Sequence, residues 1–309
     1  MLRSDKTSIV LGVMTALCWS PHFHLFSRLR AGAEPPPSTL VLSFYFVLGA
    51  AGSLLLFMFL TGRLPELNVF KRRETRFLLL AGLGGYGFWM LRGVALRSLD
   101  PARARLLFYT APVLIGLLSQ FQKEKMDARL LLGLLLGLVG CIMLTTFRGL
   151  FAGPLRPVLV ALGAAACWAV FSLAAVPPAR EENALPVAAL VVGVGALCLF
   201  INCLSTGENV FAIRPRALLV ALGGGVVTVG LMMILWLKCL AAMSAPLAGG
   251  LWYLGLVFGV LLSHLVLGGP APNLWWTLVG TAFVLLGLHT ALSGRRHEAL
   301  TLSDVIRSS

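Results

Sequence analysis

The sequence predicts an all-α polytopic membrane protein whose ten transmembrane helices form two inverted five-helix repeats. The first observation behind this is composition. Of 309 residues, 58% are hydrophobic and only 12% are charged, and the mean hydropathy is +0.90. A soluble domain carries about 25% charged residues, so a soluble fold is excluded. The second observation is an internal duplication, in which the second half of the chain repeats residue patterns of the first half.

Ten apolar stretches have about the length that a bilayer-crossing helix needs, which is about 20 residues. Pro-Pro, Gly-Pro and Gly-Gly-Pro breakers separate several of them. The first stretch is preceded by no small-residue cleavage site, so we predict that it is a retained helix and not a removed signal peptide. In chain order the predicted spans are roughly 8–28, 38–60, 76–97, 101–120, 129–147, 156–178, 184–205, 216–238, 245–267 and 273–292.

The duplication appears as residue pairs that recur at a nearly constant spacing. The spacing is 144 residues in the middle of each half, 147 beyond the following turn and 149 near the front. A drift this small indicates two copies with minor changes in loop length. We place the first repeat, with helices 1–5, at residues 1–150. The second repeat, with helices 6–10 and a short cytoplasmic tail, lies at 151–309. The recurring pairs are Leu96 with Leu240, Tyr109 with Tyr253, Ser119 with Ser263, Gly133 with Gly280, Gly140 with Gly287, and Trp19 with Trp168.

The distribution of Lys and Arg predicts the orientation, because these residues are enriched in cytoplasmic segments. If the N-terminus is cytoplasmic, the inner segments hold fifteen of them and the outer segments nine. We therefore expect both termini in the cytoplasm and the protein in the inner membrane. Each repeat has an odd number of spans, so the second repeat enters the membrane inverted. In transporters built this way, the substrate site lies between the halves near the midplane.

The net charge of +13 does not indicate nucleic acid, because the basic residues lie between apolar spans rather than on one face. Topology and contact with anionic membrane lipid explain it better, for example at Lys71-Arg72-Arg73. The chain shows no Gly-rich phosphate loop, no metal-ligand spacing and no catalytic Ser-His-Asp pattern. Its six cysteines lie in or at the ends of apolar spans, which predicts no disulfide framework. We expect no cofactor, no metal and no enzymatic activity.

Several short motifs resemble the drug/metabolite transporter superfamily, and within it the ten-helix EamA-type branch. The resemblance covers nearly the whole chain. It rests on Ala16-Leu17-Cys18-Trp19-Ser20 in the first helix, on Leu96 to Ala104 followed by Tyr109-Thr110-Ala111-Pro112, on the charged turn Lys123-Glu124-Lys125, and more loosely on Leu240 to Tyr253 and Gly280 to Gly287.

Membership of that family would imply two five-helix bundles that face a central cavity. Export of amino acids or related small metabolites is the commonest role in the family. The sequence departs from the family pattern in two places. Gly268-Gly269-Pro270 stands where an acidic residue is usual, and Ser20-Pro21-His22 replaces a small polar run after the tryptophan. The second departure would make the contacts between substrate and the first helix atypical.

Aromatic residues at recurring positions are the first candidates for a substrate site. Trp19 and its counterpart Trp168 lie in the middle of their spans rather than at an interface, where tryptophan is common. Phe108-Tyr109 recurs as Trp252-Tyr253. We expect a cavity walled mainly by helices 1, 3, 4, 6, 8 and 9. Packing between helices or against lipid remains the alternative for these rings. The aromatic candidates are Trp19, Tyr109, Trp168, Trp252 and Tyr253.

Three basic residues are the second group of candidates. Arg92 lies inside the third span, where arginine costs roughly 2.5–3.5 kcal/mol and should face protein or water. Its alternative is snorkelling to the outer boundary. Arg105 shares a helical face with aromatic residues, or else forms a solvated helix mouth. His22 shares the face of Trp19 and could carry a proton, or only join two helices by a hydrogen bond. We predict an anionic or zwitterionic substrate whose carboxylate or phosphate meets Arg92 first and Arg105 second.

The function that these patterns favour is secondary active transport by alternating access. The substrate would be a small metabolite such as an amino acid or another carboxylate, moved outward, with proton coupling as an option. A non-transporting membrane scaffold is one alternative. A membrane-embedded enzyme for lipid head groups is the other, but it needs clustered acids or histidines, and the 12 acidic residues are scattered through loops. The substrate, the direction of flux, the coupling ion and homodimerisation stay open.

Overall fold

The computed structural model describes residues 5–32, 36–68, 74–122, 127–145, 154–265 and 273–308, and side chains within them except those of 5, 74 and 294–308. All regular structure in these ranges is helical. Nine of the described helices are apolar and long enough to cross a membrane, and a tenth apolar helix has 17 residues. In order they are α1 (Lys6–Ala31), α2 (Thr39–Leu60), α3 (Thr75–Ala95), α4 (Pro101–Gln122), α5 (Ala128–Leu144), α6 (Leu155–Glu181), α7 (Ala184–Ser205), α8 (Pro215–Ala242), α9 (Ala245–Leu265) and α10 (Leu274–Ser308).

The ten predicted spans are thus confirmed, with one difference at the end of the chain. The apolar part of α10 ends at Ser293, but its backbone stays helical to Ser308, where the sequence predicts a tail. The boundary between the repeats at residues 150 and 151 falls outside the described residues and stays a prediction. The turn Lys123-Glu124-Lys125, the basic run Lys71-Arg72-Arg73 and the Gly268-Gly269-Pro270 segment also lie outside them.

Three spans are interrupted near the middle of the bundle. In α1 the break lies between Trp19 and His22, where Pro21 cannot donate to the carbonyl of Leu17. The hydroxyl of Ser20 donates to that carbonyl instead, at 2.8 Å. α4 breaks after Phe108, immediately before Tyr109. α9 breaks at Tyr253, which is the counterpart of Tyr109 in the second repeat. The breaks therefore place backbone irregularities next to the predicted site residues.

α3 and α8 each contain a π-helical segment. The segments are Ala81–Gly87 and Val226–Leu231, which begin 145 residues apart. Short π segments within α-helices often occur at functional sites, because the extra residue per turn redirects the side chains that follow. Phe88 follows the first segment directly, and Thr228 lies inside the second. Both side chains are buried in the bundle.

The ends of α2 and α7 carry the same signature. Thr61 and Thr206 each donate a side-chain hydrogen bond to the carbonyl four residues earlier, at 2.7 and 2.8 Å. The next residues, Gly62 and Gly207, have φ values of 68° and 71°. Such left-handed backbone favours glycine, which has no Cβ to clash. These equivalent helix ends, 145 residues apart, show the repeat in three dimensions.

The two halves interlock through glycines, and the contacts come in reciprocal pairs. Gly133 of α5 packs against Gly287 of α10, and Gly140 packs against Gly280. The sequence pairs Gly133 with Gly280 and Gly140 with Gly287 as equivalents. Exchanging the halves therefore maps each contact onto the other, which is the property of a two-fold axis. Small residues at such crossings let helix backbones approach closely in a membrane.

Polar contacts join the halves at both ends of the bundle. At one end, Arg97 after α3 forms an ion pair with Glu208 after α7. At the other end, the Asn183 amide donates to Glu66 at 3.4 Å. Arg63 also donates to Glu66, at 2.6 and 3.0 Å, and this bonding lowers the pKa of that partly exposed carboxyl.

Candidate functional site

Where the halves meet, aromatic rings from six helices form one buried cluster. Neighbouring ring centroids lie 4.6–6.2 Å apart along the chain of contacts. Every member is at most 5% exposed. We call this set the central aromatic cluster. Its members are Trp19, His22, Phe23, Phe46, Phe88, Trp89, Trp168, Trp236 and Trp252, drawn from α1, α2, α3, α6, α8 and α9, with Phe108 of α4 beside Phe23 and Phe88.

The predicted tryptophans lie inside this cluster. Trp19 and Trp168 are each 2% exposed, so the lipid-facing alternative for them is wrong. Trp252 contacts both, with centroids 5.4 Å from Trp19 and 5.1 Å from Trp168. The indole of Trp252 thus bridges two rings that come from opposite halves and correspond to each other in the repeat.

The two predicted tyrosines face each other across the two-fold axis. The ring centroids of Tyr109 and Tyr253 lie 6.4 Å apart, and each residue is 1% exposed. Trp19 hydrogen bonds to Tyr109. The hydroxyl of Tyr253 has no hydrogen-bond partner among the described residues. Gly255 leaves room for this arrangement, since a methyl group there would lie 2.8 Å from the Tyr109 hydroxyl.

Arg92 is fully buried beside the central aromatic cluster. Its exposure is 0%, so the snorkelling alternative is wrong. The guanidinium carbon lies 4.8 Å from the ring centroid of Phe23 and 4.5 Å from that of Phe26. In the part of the chain that the structure describes, none of its three nitrogens has a hydrogen-bond partner. Ring faces attract the cation by up to about 2 kcal/mol, but they do not supply the acceptors that five guanidinium N–H bonds require.

Arg105 lies against the same phenylalanine as Arg92. Its guanidinium carbon is 5.0 Å from the ring centroid of Phe23, and its buried Nε has no hydrogen-bond partner within the described ranges. The structure therefore brings Arg92 and Arg105 to one ring, although they come from different helices. Two cations around one apolar ring repel each other, and an anion between them would relieve this repulsion.

His22 joins the two halves at the centre of the cluster. Its ring stacks on Trp19, with centroids 4.8 Å apart and planes 5° from parallel. Its Nδ1 shares a hydrogen bond of 2.9 Å with the Thr228 hydroxyl, in the π segment of α8. Its Nε2 has no partner among the residues described. His22 thus makes the helix-joining hydrogen bond that was one of its two predicted roles, and the other role stays a prediction.

Thr228→Val is expected to lower stability by about 1–3 kcal/mol, because it leaves the Nδ1 of buried His22 without its partner. Thermal unfolding of the purified variant measures this loss. Thr228→Ser keeps the hydroxyl and is the matched control, so its unfolding temperature should lie much closer to that of the unchanged protein. Equal unfolding temperatures for the Val and Ser variants would contradict the hydrogen bond.

Buried hydrogen-bond donors without acceptors accumulate around this centre. Tryptophan and arginine can only donate, so a buried donor of either kind needs an acceptor from elsewhere. Each unmet buried donor costs about 1–3 kcal/mol. The surroundings are therefore complementary to a ligand that brings oxygen acceptors. Counted over the described residues, the unpartnered tryptophan and arginine donors at the centre are the Nε1 atoms of Trp89, Trp168 and Trp236, all three nitrogens of Arg92 and the Nε of Arg105.

The sequence reasoning missed Trp236 and Thr228 as members of the site. A signal for Trp236 is present, since it lies 144 residues after Arg92 and so takes the equivalent place in the second repeat. The centre is consequently asymmetric, with a guanidinium on one side and an indole on the other. For metals, the described ranges contain no group of three His, Cys, Asp or Glu that could hold an ion.

A sequence model described as the EamA-like transporter family matches residues 6–146 and, a second time, residues 155–292. The two matches cover most of the chain, one in each half.

This chain belongs to the EamA-like transporter family.

Membership fixes the general activity of the protein. An EamA-like chain with these apolar helices is a multi-pass membrane transporter and not an enzyme, so the lipid-head-group enzyme and the scaffold are set aside. The two matches also agree with the two inverted repeats. The expected resemblance to the drug/metabolite transporter superfamily is therefore confirmed.

One relative with a described activity is similar over nearly its full length. The aromatic amino acid exporter YddG of Ancylobacter novellus is 30% identical over 280 residues, which cover 88% of this EamA-like chain and 92% of the relative. A solved crystal structure is similar with a TM-score of 0.77 and 25% identity, covering 96% of this chain and all of the other. The two folds therefore agree over almost the whole chain.

Proposed function

We propose that this transporter exports a small metabolite with a carboxylate, and that an amino acid with an aromatic side chain is the best candidate. The observation that carries the proposal is Arg92, whose guanidinium is fully buried with no hydrogen-bond partner for any nitrogen among the described residues. A carboxylate can accept two parallel N–H bonds from the fixed fork of a guanidinium. The similarity to an aromatic amino acid exporter supports the same substrate class.

The asymmetry of the centre supports a ligand with two unlike ends. On the side of Arg92 the guanidinium would hold the carboxylate, with the Arg105 guanidinium also against Phe23. On the side of Trp236, the rings of Trp168 and Trp252 lie within 5.9 Å of its ring. Rings in such arrangements favour an aromatic partner in an offset or edge-to-face geometry. An aromatic amino acid would bring a carboxylate for the one side and a ring for the other.

Alternating access would use the polar contacts between the halves. The ion pair Arg97–Glu208 and the bond between Asn183 and Glu66 lie at opposite ends of the bundle. Opening the site to one side would separate only one of them. Both are surface contacts of small net strength, so thermal motion can break either while the other holds.

Proton coupling rests on His22, the titratable ring in the central aromatic cluster. Its Nδ1 shares a hydrogen bond with Thr228, and its Nε2 has no partner in the described part of the chain. In the tautomer whose Nδ1 donates to the Thr228 hydroxyl, Nε2 is the nitrogen that would take the proton. Uptake of labelled amino acid into proteoliposomes, with and without an imposed proton gradient, measures the coupling. Equal initial rates in the two conditions would exclude it.

Cells that overproduce the protein are expected to release aromatic amino acids faster than cells with an empty vector. The released compounds should carry a carboxylate, and amines of the same shape without one should stay inside. Mass spectrometry of the medium measures both classes in one experiment. Release of amines alone, with no excess of any carboxylate, would overturn the proposal.

We further propose a cytoplasmic-membrane location with both termini inside, on the charge count of fifteen to nine. Reporter fusions after Ser293 and within 206–215 are expected to read cytoplasmic and external, respectively. An external reading after Ser293 would contradict the orientation. The repeat boundary at 150/151, contact with anionic lipids and homodimerisation stay predictions of the same standing.

A further inference from the structure

A cavity of about 380 Å³ lies outside the central aromatic cluster, at the end of the bundle that holds the ion pair Arg97–Glu208. Its wall is mostly apolar and includes Phe26, Leu96 and Pro101. Two polar side chains also line it, those of Ser27 and Arg30. The cavity thus combines apolar surface with one positive charge.

The fold uses only some of the hydrogen-bond donors of Arg30. Its Nη1 donates to the carbonyl of Leu96 at 3.2 Å, at the end of α3. Its Nε is buried and has no hydrogen-bond partner among the described residues. The group is therefore fixed in place by one bond, and the fold leaves its Nε without an acceptor. This is the chemistry of an anion site whose side chain is already oriented.

Phe26 separates this cavity from Arg92. The ring of Phe26 lines the cavity, and the guanidinium carbon of Arg92 lies 4.5 Å from the centroid of the same ring. Phe26 is 2% exposed, so this ring is a buried contact common to the cavity wall and Arg92. Rotation of the Phe26 side chain would connect the cavity to the space beside the Arg92 guanidinium.

We propose that the cavity is a second binding station for an apolar carboxylate, with Arg30 as the anion contact and Phe26 as the gate to Arg92. This rests on the proposed function, because the ligand is the exported substrate between the centre and the exterior. Its carboxylate passes from Arg92 to Arg30. Its side chain lies against Leu96 and Pro101 in the second station.

Protection of a cysteine in the cavity tests the station directly. The variant Ser27→Cys, purified in nanodiscs of zwitterionic lipid, is treated with a thiol-reactive label with and without a ligand. The probes are L-phenylalanine, 3-phenylpropionate, which lacks the amine, and phenethylamine, which lacks the carboxylate. The unchanged protein gives the background from its six free cysteines, four of which are buried. We expect the first two probes to slow labelling and phenethylamine to have no effect.

Variants then separate this station from the central site. Arg30→Gln in the Ser27→Cys protein is expected to raise the concentration for half-protection roughly tenfold or more, as loss of one charge-assisted hydrogen bond would. Arg30→Lys keeps the charge and controls for folding. Arg92→Gln in the same protein should leave the protection unchanged. Protection that depends on Arg92 and not on Arg30 would overturn the station, since it would report the central site.

Two further outcomes also decide the question. Equal protection by phenethylamine, or none by any probe, overturns the anion contact at Arg30. Slower labelling in nanodiscs with anionic lipid, with no effect of 3-phenylpropionate, assigns the cavity to lipid phosphate and overturns the substrate station. If protection follows Arg30 while export is normal in Arg92→Gln, the station stands and the proposed central site fails.

Discussion

Arg92→Gln is expected to reduce the apparent affinity for the exported carboxylate roughly 10- to 100-fold, because hydrogen bonds to a charged group contribute about 1.5–3 kcal/mol. Arg92→Lys should show a large loss as well, since a point charge cannot replace the planar fork of donors. The measurement is the concentration dependence of uptake into proteoliposomes. Near-normal affinity in both variants would remove Arg92 from the substrate site.

The thermal stability of the same variants is a second measurement of what Arg92 does. A structural arginine would destabilise the fold when removed, but Arg92 is a buried cation without hydrogen bonds to any described residue. Its replacement by a neutral side chain relieves the cost of burying that charge, so Arg92→Gln should unfold at the same or a higher temperature. Arg156 is exposed at the start of α6, and Arg156→Gln is the matched control for loss of one positive charge. It should change neither affinity nor stability appreciably.

Gly140→Leu is expected to prevent assembly of the folded protein, and Gly140→Ala to destabilise it by about 1–3 kcal/mol through overpacking. Even a methyl group at this position would lie 2.6 Å from the carbonyl oxygen of Gly280 and 2.8 Å from Val284. The atoms it meets are backbone or close to backbone, so they cannot turn aside. Thermal unfolding and the yield of monodisperse protein measure the effect.

Gly193→Ala is the matched control for this crossing. Gly193 lies inside α7, and a methyl group added there would meet no described atom of another helix within 4 Å, so alanine fits. Alanine also favours helix over glycine by about 1 kcal/mol in aqueous helices. The control should be neutral or slightly stabilising. A loss of stability as large as that of Gly140→Ala would show that the close crossing of α5 and α10 is not the cause.

The sequence was sufficient for the spans and the repeat but not for the irregularities inside the helices. Hydropathy over a window of about 20 residues finds the apolar helices, because every span must satisfy its backbone internally. The π segment Ala81–Gly87 cannot be recognised in this way, since it changes the spacing of the backbone hydrogen bonds and not the composition. The break at Tyr253 likewise has no proline beside it. Such features depend on the neighbouring helices.

The candidate site could be predicted only where a residue is unusual in the sequence itself. Arg92, Trp19 and the tyrosine pair stood out because a charge in a span, or a recurring ring, is unusual in itself. Thr228 did not stand out, because a threonine in an apolar helix is common. It matters here only because the π segment of α8 turns its hydroxyl to His22, 2.9 Å away. The contact of Arg92 with Phe26 likewise depends on how α1 resumes after its break.

The reciprocal crossing of α5 and α10 has a consequence for biosynthesis. α5 ends at Leu144 and its partner begins at Leu274, so the ribosome adds residues 145–273 between them. At about 5–20 residues per second, α5 waits roughly 6 to 26 seconds in the membrane with its glycine face uncovered. The first half therefore cannot complete its own core during translation. A nascent chain stopped before α10 would expose that face to the quality-control machinery, and a second half supplied as a separate polypeptide would be able to cover it.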